Sequence, residues 1–365
     1  MKKLATTFVA LLCAMICFAQ NCTINGRMNV PEFQNKEVSI LNGATYEVLA
    51  TTTIKDSAFS FDIPVKEPFW GWIKTEKVAD NNYYYLDVVV EPGTVTCNLV
   101  TDDLAGTPTN EKYYQYNKVM SKEKEIWYAY AEKFQNMSQM SEDQIKSMAD
   151  EFQAQMNKMI DLAKNAFIEN KDNLVATQAF DFLVEMVGAK AIKYSELTKM
   201  LDEAAPIVRN YPEVVKKMNK LDKLNQTAEG KPYIDLDLKD FKTGKSVKLS
   251  KYIKGKIALI DFWASWCKPC RAEIPNIAKI HKKYGKDIVV ISLNVWDQPT
   301  AQAKAIKDLK MNWLQLTDDT KNSTNVYGIQ GIPHIMLIGK DGTILARELR
   351  GGEIEAAVIK ALDNK

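Results

Sequence analysis

Lys256-Ile257-Ala258-Leu259-Ile260-Asp261-Phe262-Trp263-Ala264-Ser265-Trp266-Cys267-Lys268-Pro269-Cys270 is the stretch that decides the fold of the last third of this chain. Its first eight residues form an apolar run of strand length and read as a buried strand. Ile274, Ile277, Ile280 and Tyr284 then recur at helical spacing, so a helix starts near Cys267. A cysteine at a helix N-terminus meets unpaired backbone N–H groups and the positive end of the helix dipole. Both favour the thiolate, the form that attacks disulfides. Cys270 follows one turn later, near enough to close a small disulfide ring. Pro269 falls in the first turn, where its missing N–H costs no helical bond. The pair points to dithiol chemistry that needs no cofactor. A zinc site would need two more ligands, and beyond its cysteines the chain offers only the histidines His281 and His334, with no second C-x-x-C. A purely structural disulfide would not require this setting of strand, aromatic loop and helix.

Working outward, Ile288 to Val295 is a second strand buried on both faces, which makes a parallel β-α-β unit with a right-handed crossover. Upstream, Tyr233 to Leu238 alternates apolar and acidic, and Asp240 to Leu249 reads as a turn and strand around Gly244. Downstream, another helix is followed by His334 to Ile338, the turn Lys340-Asp341-Gly342 and Thr343 to Glu348, an antiparallel hairpin. Ile354, Val358 and Leu362 mark a last helix. Residues 230–365 are therefore an α/β domain.

The front of the chain has a different character. Residues 20–105 carry short β runs separated by turn dipeptides such as Asn42-Gly43 and Pro92-Gly93, and a small all-β sandwich is expected. Cys22 and Cys97 lie on strands near its two ends; a structural disulfide between them and two buried free thiols are both open. Residues 106–229 read as an α-helical region. Tyr113, Tyr116, Met120, Trp127, Tyr130, Phe134 and Met137 form one helical stripe, and Ser141 to Gln144 is a capping box opening a second, Ile145 to Phe167. A third helix covers about Leu174 to Ile192. The stripes read as core packing, and no catalytic constellation is present in this block.

Residues 1–19 read as a cleavable export signal: Lys2 and Lys3 precede an apolar stretch from Leu4 to Phe18, with small residues at Cys17 and Ala19 before Gln20. No cysteine stands in a lipidation context. A periplasmic or cell-envelope location follows. Loss of Lys2 and Lys3 takes the formal charge from +2 to 0 (+2 minus 2), which gives no electrostatic case for nucleic acid or an anionic membrane.

The dithiol stretch, Pro275 within the helix and Gly331-Ile332-Pro333 before the hairpin resemble the thioredoxin superfamily. The likeness is to its exported thiol:disulfide interchange branch (TlpA-like, or redoxin), and the sandwich is similar to a domain of unknown function that precedes such thioredoxins. The resemblance implies that Cys267 attacks a client disulfide and that Cys270 resolves the mixed disulfide. It implies a cis Pro333 that presents the Ile332 backbone to an extended client, with Trp266 on the client-contact surface. It also implies that Asp261, an odd acid in an apolar strand, relays a proton to Cys270; a partly solvated acid at a strand end is the alternative. Asp297 and His334 are weaker candidates. A peroxiredoxin is disfavoured because Ala264 stands where that family has threonine or serine.

The expected function is an exported thiol-disulfide oxidoreductase that reduces protein disulfides and is itself kept reduced by a membrane-embedded thiol donor. Pro269 and Ile332 look like the reducing branch, although the charge of Lys268 pulls toward a more oxidising potential. The rival expectation is a partner-binding or assembly protein whose dithiol only regulates binding. The aromatic-rich front end leads us to expect a homodimer through residues 20–228, which light scattering tests.

Overall fold

A computed structural model describes residues 20–78, 81–134, 140–320 and 322–363. The expected export signal and Met137 of the first helical stripe lie outside the described residues. The chain divides into two compact units, at Val215 and Lys216.

The first unit opens with β1 (Gln20–Arg27), β2 (Glu37–Asn42), β3 (Val48–Thr53), β4 (Ala58–Val65) and β5 (Phe69–Thr75). β6 (Tyr85–Val90), β7 (Gly93–Asn98) and the short β8 (Asp103–Ala105) follow. They make two four-stranded sheets, ordered β4-β1-β7-β8 and β3-β2-β5-β6. Strict alternation in β4 turns Phe59, Phe61, Ile63 and Val65 inward, onto a core shared with Ile24, Phe33, Ile40, Ile73 and Val88. The expected sandwich is present.

Helices α1 (Pro108–Phe134), α2 (Glu142–Glu169), α3 (Val175–Gly188), α4 (Tyr194–Asp202) and α5 (Pro206–Arg209) complete that unit, and α6 (Pro212–Gln226) runs on into the second. α2 opens on the expected capping box, in which Ser141 Oγ accepts from the Gln144 N–H at 3.3 Å and Gln144 Oε1 accepts from the Ser141 N–H at 2.9 Å. Tyr113, Met120, Met148, Met159 and Phe167 of the two stripes are buried, as core packing requires. Two polar anchors tie helices to the sandwich. The Asn110 side chain pairs with both backbone groups of Val89 at 2.8 Å, as a strand neighbour would. The buried Trp70 indole meets Tyr113 edge-to-face and donates to Thr177 Oγ1 at 2.8 Å.

Of the two alternatives open for Cys22 and Cys97, the possible structural disulfide is not formed: both are free, buried thiols. β1 and β7 are parallel neighbours, but Cys22 stands opposite Gly93 and Cys97 opposite Gly26. Four positions of offset separate the two by about 13 Å along the strands, at ~3.3 Å per residue, well beyond disulfide reach. Burial raises the Cys22 thiol and pushes Cys97 up to about 12, so neither is a nucleophile at neutral pH.

The second unit contains a seven-stranded sheet. Its elements are β9 (Asp237–Asp240), β10 (Ser246–Lys248), α7 (Ser250–Ile253), β11 (Ile257–Trp263), α8 (Lys268–Tyr284) and β12 (Ile288–Asn294). α9 (Pro299–Asp308), β13 (Leu314–Thr317), α10 (Asn322–Val326), β14 (His334–Ile338), β15 (Ile344–Ala346) and α11 (Gly352–Asp363) follow. The sheet order is β10-β9-β13-β12-β11-β14-β15, with β11 parallel to β12 and antiparallel to β14. This is the thioredoxin architecture implied by the resemblance. β13, four residues long, is too short to show a pattern in the sequence. Odd-numbered residues of β11 (Ile257, Leu259, Trp263) pack with α8 and α11, and even-numbered ones (Ala258, Ile260, Phe262) pack with Leu249, Ile253 and Tyr327 on the other face.

Thr177→Val keeps the shape of this side chain but leaves the Trp70 N–H buried without a partner. We expect a loss of about 1–3 kcal/mol, read from the denaturant midpoint of the full chain.

Candidate active site

Every residue of β11 is buried. The chain leaves its C-terminal end through Ala264, Ser265 and Trp266 and enters α8, with Cys267 as N-cap. Cys267 Sγ accepts from the Cys270 N–H at 3.2 Å, one of the free donors of the first turn. Cys267 and Cys270 are joined by a disulfide with S–S 2.02 Å and Cα–Cα 5.3 Å. Both are almost wholly covered, Cys267 being 3% exposed and Cys270 1%. Beside them the Ile332–Pro333 bond is cis, and the Ile332 carbonyl oxygen lies 3.6 Å from Cys267 Sγ. Trp266, 62% exposed, stands out from the surface next to the pair.

The loop that carries Trp266 is held from the end of β12. Asp297 accepts from the Ser265 N–H at 2.6 Å and Ser265 Oγ at 2.9 Å, and also from Asn294 Nδ2 at 3.0 Å and the Gln298 N–H at 2.8 Å. Burial alone would raise this acid, but these donors outweigh it and Asp297 is lowered. Trp296, in the left-handed region at φ 56°, presents its carbonyl to the Trp266 indole N–H at 3.0 Å. Asp297 is thus a brace for the loop and makes no hydrogen bond to either cysteine.

Asp261 is 1% exposed and lies on the α8-facing side of the sheet by the alternation of β11. Its carboxylate accepts one hydrogen bond, from Ser292 Oγ at 3.2 Å, and Ser292 Oγ in turn accepts from the Trp313 indole at 2.9 Å. The other oxygen, Oδ1, has no hydrogen-bond partner among the described residues. Burial pushes the acid up to about 7; Ser292 opposes this, Glu273 adds to it and Arg350 opposes it. The solvated strand-end alternative for Asp261 is therefore removed.

His334 is buried against the edge of Phe262 and beside Arg347, 3.4 Å from Nε2. Burial, with Arg347 and then Arg350 adding to it, pushes the imidazole down to about 3. It is neutral at physiological pH.

Three participants were not legible in the sequence. Glu273 of α8 accepts from the Gly351 N–H at 3.2 Å, and Arg350 donates to the carbonyls of Pro333 and Leu349. Ser292 supports Asp261 from the neighbouring strand. Arg350 is some 80 positions beyond Cys270 in sequence, and no local pattern could have placed it there. Among the described residues no group of three or more acidic, histidine or cysteine side chains could hold a metal.

The AhpC/TSA family profile matches residues 230–347. The chain is similar to a thiol-disulfide oxidoreductase ResA of Bacillus cereus, 28% identical over 134 residues, which cover 36% of this chain and 74% of that protein. The thioredoxin-like protein YneN of Bacillus subtilis is 30% identical over 118 residues, 32% of this chain and 68% of that one. Across such relatives the matched stretch spans 57% to 74% of their length. A solved thioredoxin domain of a thiol-disulfide oxidoreductase from Bacteroides vulgatus is 34% identical, covers 36% of this chain and 96% of that one, and has a TM-score of 0.34. With a helix-capping dithiol, a cis-proline beside it and these two sequence relatives, the chain belongs through its C-terminal domain to the thioredoxin-like thiol-disulfide oxidoreductases.

Proposed function

We propose that this protein is an exported reductant of protein disulfides, acting through Cys267 and Cys270. The observation that carries the reading is the position of Cys267 as N-cap of α8, with the Cys270 N–H aimed at its sulfur. In the reduced form the Cys267 thiolate attacks one sulfur of a client disulfide, and the other client sulfur leaves as a thiolate that takes up a proton. Cys270, deprotonated, then attacks Cys267 Sγ, closing the 267–270 disulfide and releasing the second client thiol. Two electrons and two protons pass from the dithiol to the client. The Ile332 backbone beside Cys267 supports a docking role for Ile332 and Pro333, and the exposed Trp266 supports a client contact there. Export and an envelope location rest on the leader-like residues 1–19 and their cleavage pattern. A membrane-embedded thiol donor would return the dithiol to its reduced state.

Asp261 is proposed as the base that takes the Cys270 proton, directly or through water. The supporting observation is a buried carboxylate on the α8 side of the sheet, one oxygen of which has no hydrogen-bond partner among the described residues. A base that titrates near neutrality is suited to this transfer.

Cys270→Ala should accumulate mixed disulfides between Cys267 and clients in the cell envelope, seen as thiol-sensitive bands on non-reducing gels; no such adducts would defeat the exchange reading. Redox titration of the 267–270 pair should give a potential nearer the about −270 mV of thioredoxin than the about −120 mV of the strongly oxidising relatives. A value at the oxidising end would reverse the proposed direction.

Asp261→Asn should slow resolution of the mixed disulfide on the order of 10²-fold while slowing its formation far less. In the wild type the resolving step should quicken as pH rises through about 7, and the variant should lose that rise. Equal effects on both steps would make the acid structural. Stability gives a separate sign. With a folded pKa raised from 3.8 to about 7, the native state holds this proton where the unfolded chain has lost it, so Asp261 costs stability increasingly as pH climbs through that window. The denaturant midpoint of Asp261→Asn should therefore gain on the wild type between those two pH values.

A further inference from the structure

The cis-proline loop forms one wall of a cleft of about 430 Å³, and its opposite wall comes from the last turns of α6, upstream of the family match at residue 230. That wall is fastened to the domain at several points. Lys223 Nζ donates to Asn325 Oδ1 at 2.5 Å. Arg347 clamps the chain just after α6, with Nη1 donating to the Thr227 carbonyl at 2.6 Å and Nη2 to the Tyr327 carbonyl at 2.7 Å. Leu224 lies directly over Gly328, where a Cβ would fall 2.8 Å from the leucine side chain and where φ is +66°. Both features favour glycine there, since a side chain would crowd Leu224 and strain the backbone.

The cleft therefore joins Lys220 and Leu224 of α6 to Ile332, Pro333, Glu348 and Arg350. Lys220 is exposed and without a hydrogen bond or ion pair among the described residues. Arg350 is fixed there by its bonds to the Pro333 and Leu349 carbonyls. Against these two cations stands one anion, Glu348, and the adjoining His334 is neutral. The cleft thus carries an excess positive charge immediately beside the bond that flanks Cys267.

We propose that this cleft receives the extended client segment next to its disulfide cysteine and favours an acidic side chain there, with the end of α6 acting as a specificity wall. The proposal rests on the reading that the dithiol exchanges with client disulfides, and it adds the charge of the preferred client. Lys220 and Glu348 would be the specificity-determining pair, Lys220 attracting an acid and Glu348 limiting the attraction.

The test uses the full chain and two disulfide-bridged peptides that differ only in Asp or Lys beside the cysteine. For the wild type, kcat/KM should favour the acidic peptide by about fourfold at low ionic strength, the scale of one exposed charge contact. The preference should shrink toward one at about 0.5 M salt. Lys220→Glu should abolish or invert the ratio, and Glu348→Lys should enlarge it. A ratio near one in the wild type, or a ratio moved by neither substitution, overturns the proposal. Binding of the same peptides with serine in place of cysteine, followed by tryptophan fluorescence, separates the two readings. Failure to turn over any disulfide would sink the redox function alone, whereas charge-blind binding of the serine peptides would sink the cleft alone.

Discussion

Burial of β11 on both faces is the constraint from which the site follows. Hydrogen-bonded to β12 on one side and β14 on the other, this strand has no freedom of register, so its last residue delivers the chain to a fixed point at the C-terminal end of the strand. The bend that follows is held by Asp297 and by the Trp296 carbonyl, and only then does α8 begin. Cys267 is an N-cap because the strand end, the braced loop and the helix axis leave it no other place. Its sulfur inherits the donors of the first helical turn as a consequence of backbone geometry.

Two carboxylates near this bend show how environment divides their chemistry. Asp297 is partly buried yet surrounded by four donors, and it stays a firm anion that serves as a structural brace. Asp261 is wholly buried with a single hydroxyl donor, and it is pushed toward neutrality. The difference is a count of hydrogen bonds against a common desolvation cost. An acid starved of donors can exchange a proton near neutral pH, and a saturated one cannot.

The dithiol, the buried strand and the helix that follows were legible in the sequence because each depends on residues within one or two turns of one another. The same holds for the sandwich alternation and for the Ser141–Gln144 capping box. The cis conformation of Pro333 was available through family resemblance, since the Ile332–Pro333 dipeptide by itself carries no such signal. Other features depended on register or on contacts between remote segments. Cys22 and Cys97 lie on neighbouring strands, as was open in the sequence, yet a four-residue offset keeps them apart. β13 was too short to announce itself. Glu273 and Arg350 reach the site from a helix interior and from a loop before α11, with nothing around them to mark the role.

By itself, then, the sequence determined the nucleophile, its partner thiol, the class of fold and the odd acid in the central strand, because periodicity and helix-end chemistry are local. Only the tertiary structure decided that Asp261 faces the helix with a free oxygen, and that Asp297 braces the loop. It alone decided that His334 is a neutral core residue and that the end of α6 belongs to the redox unit. Those outcomes are set by which groups a folded chain excludes from water and which donors it brings within reach, and neither can be read from residues that meet only after folding.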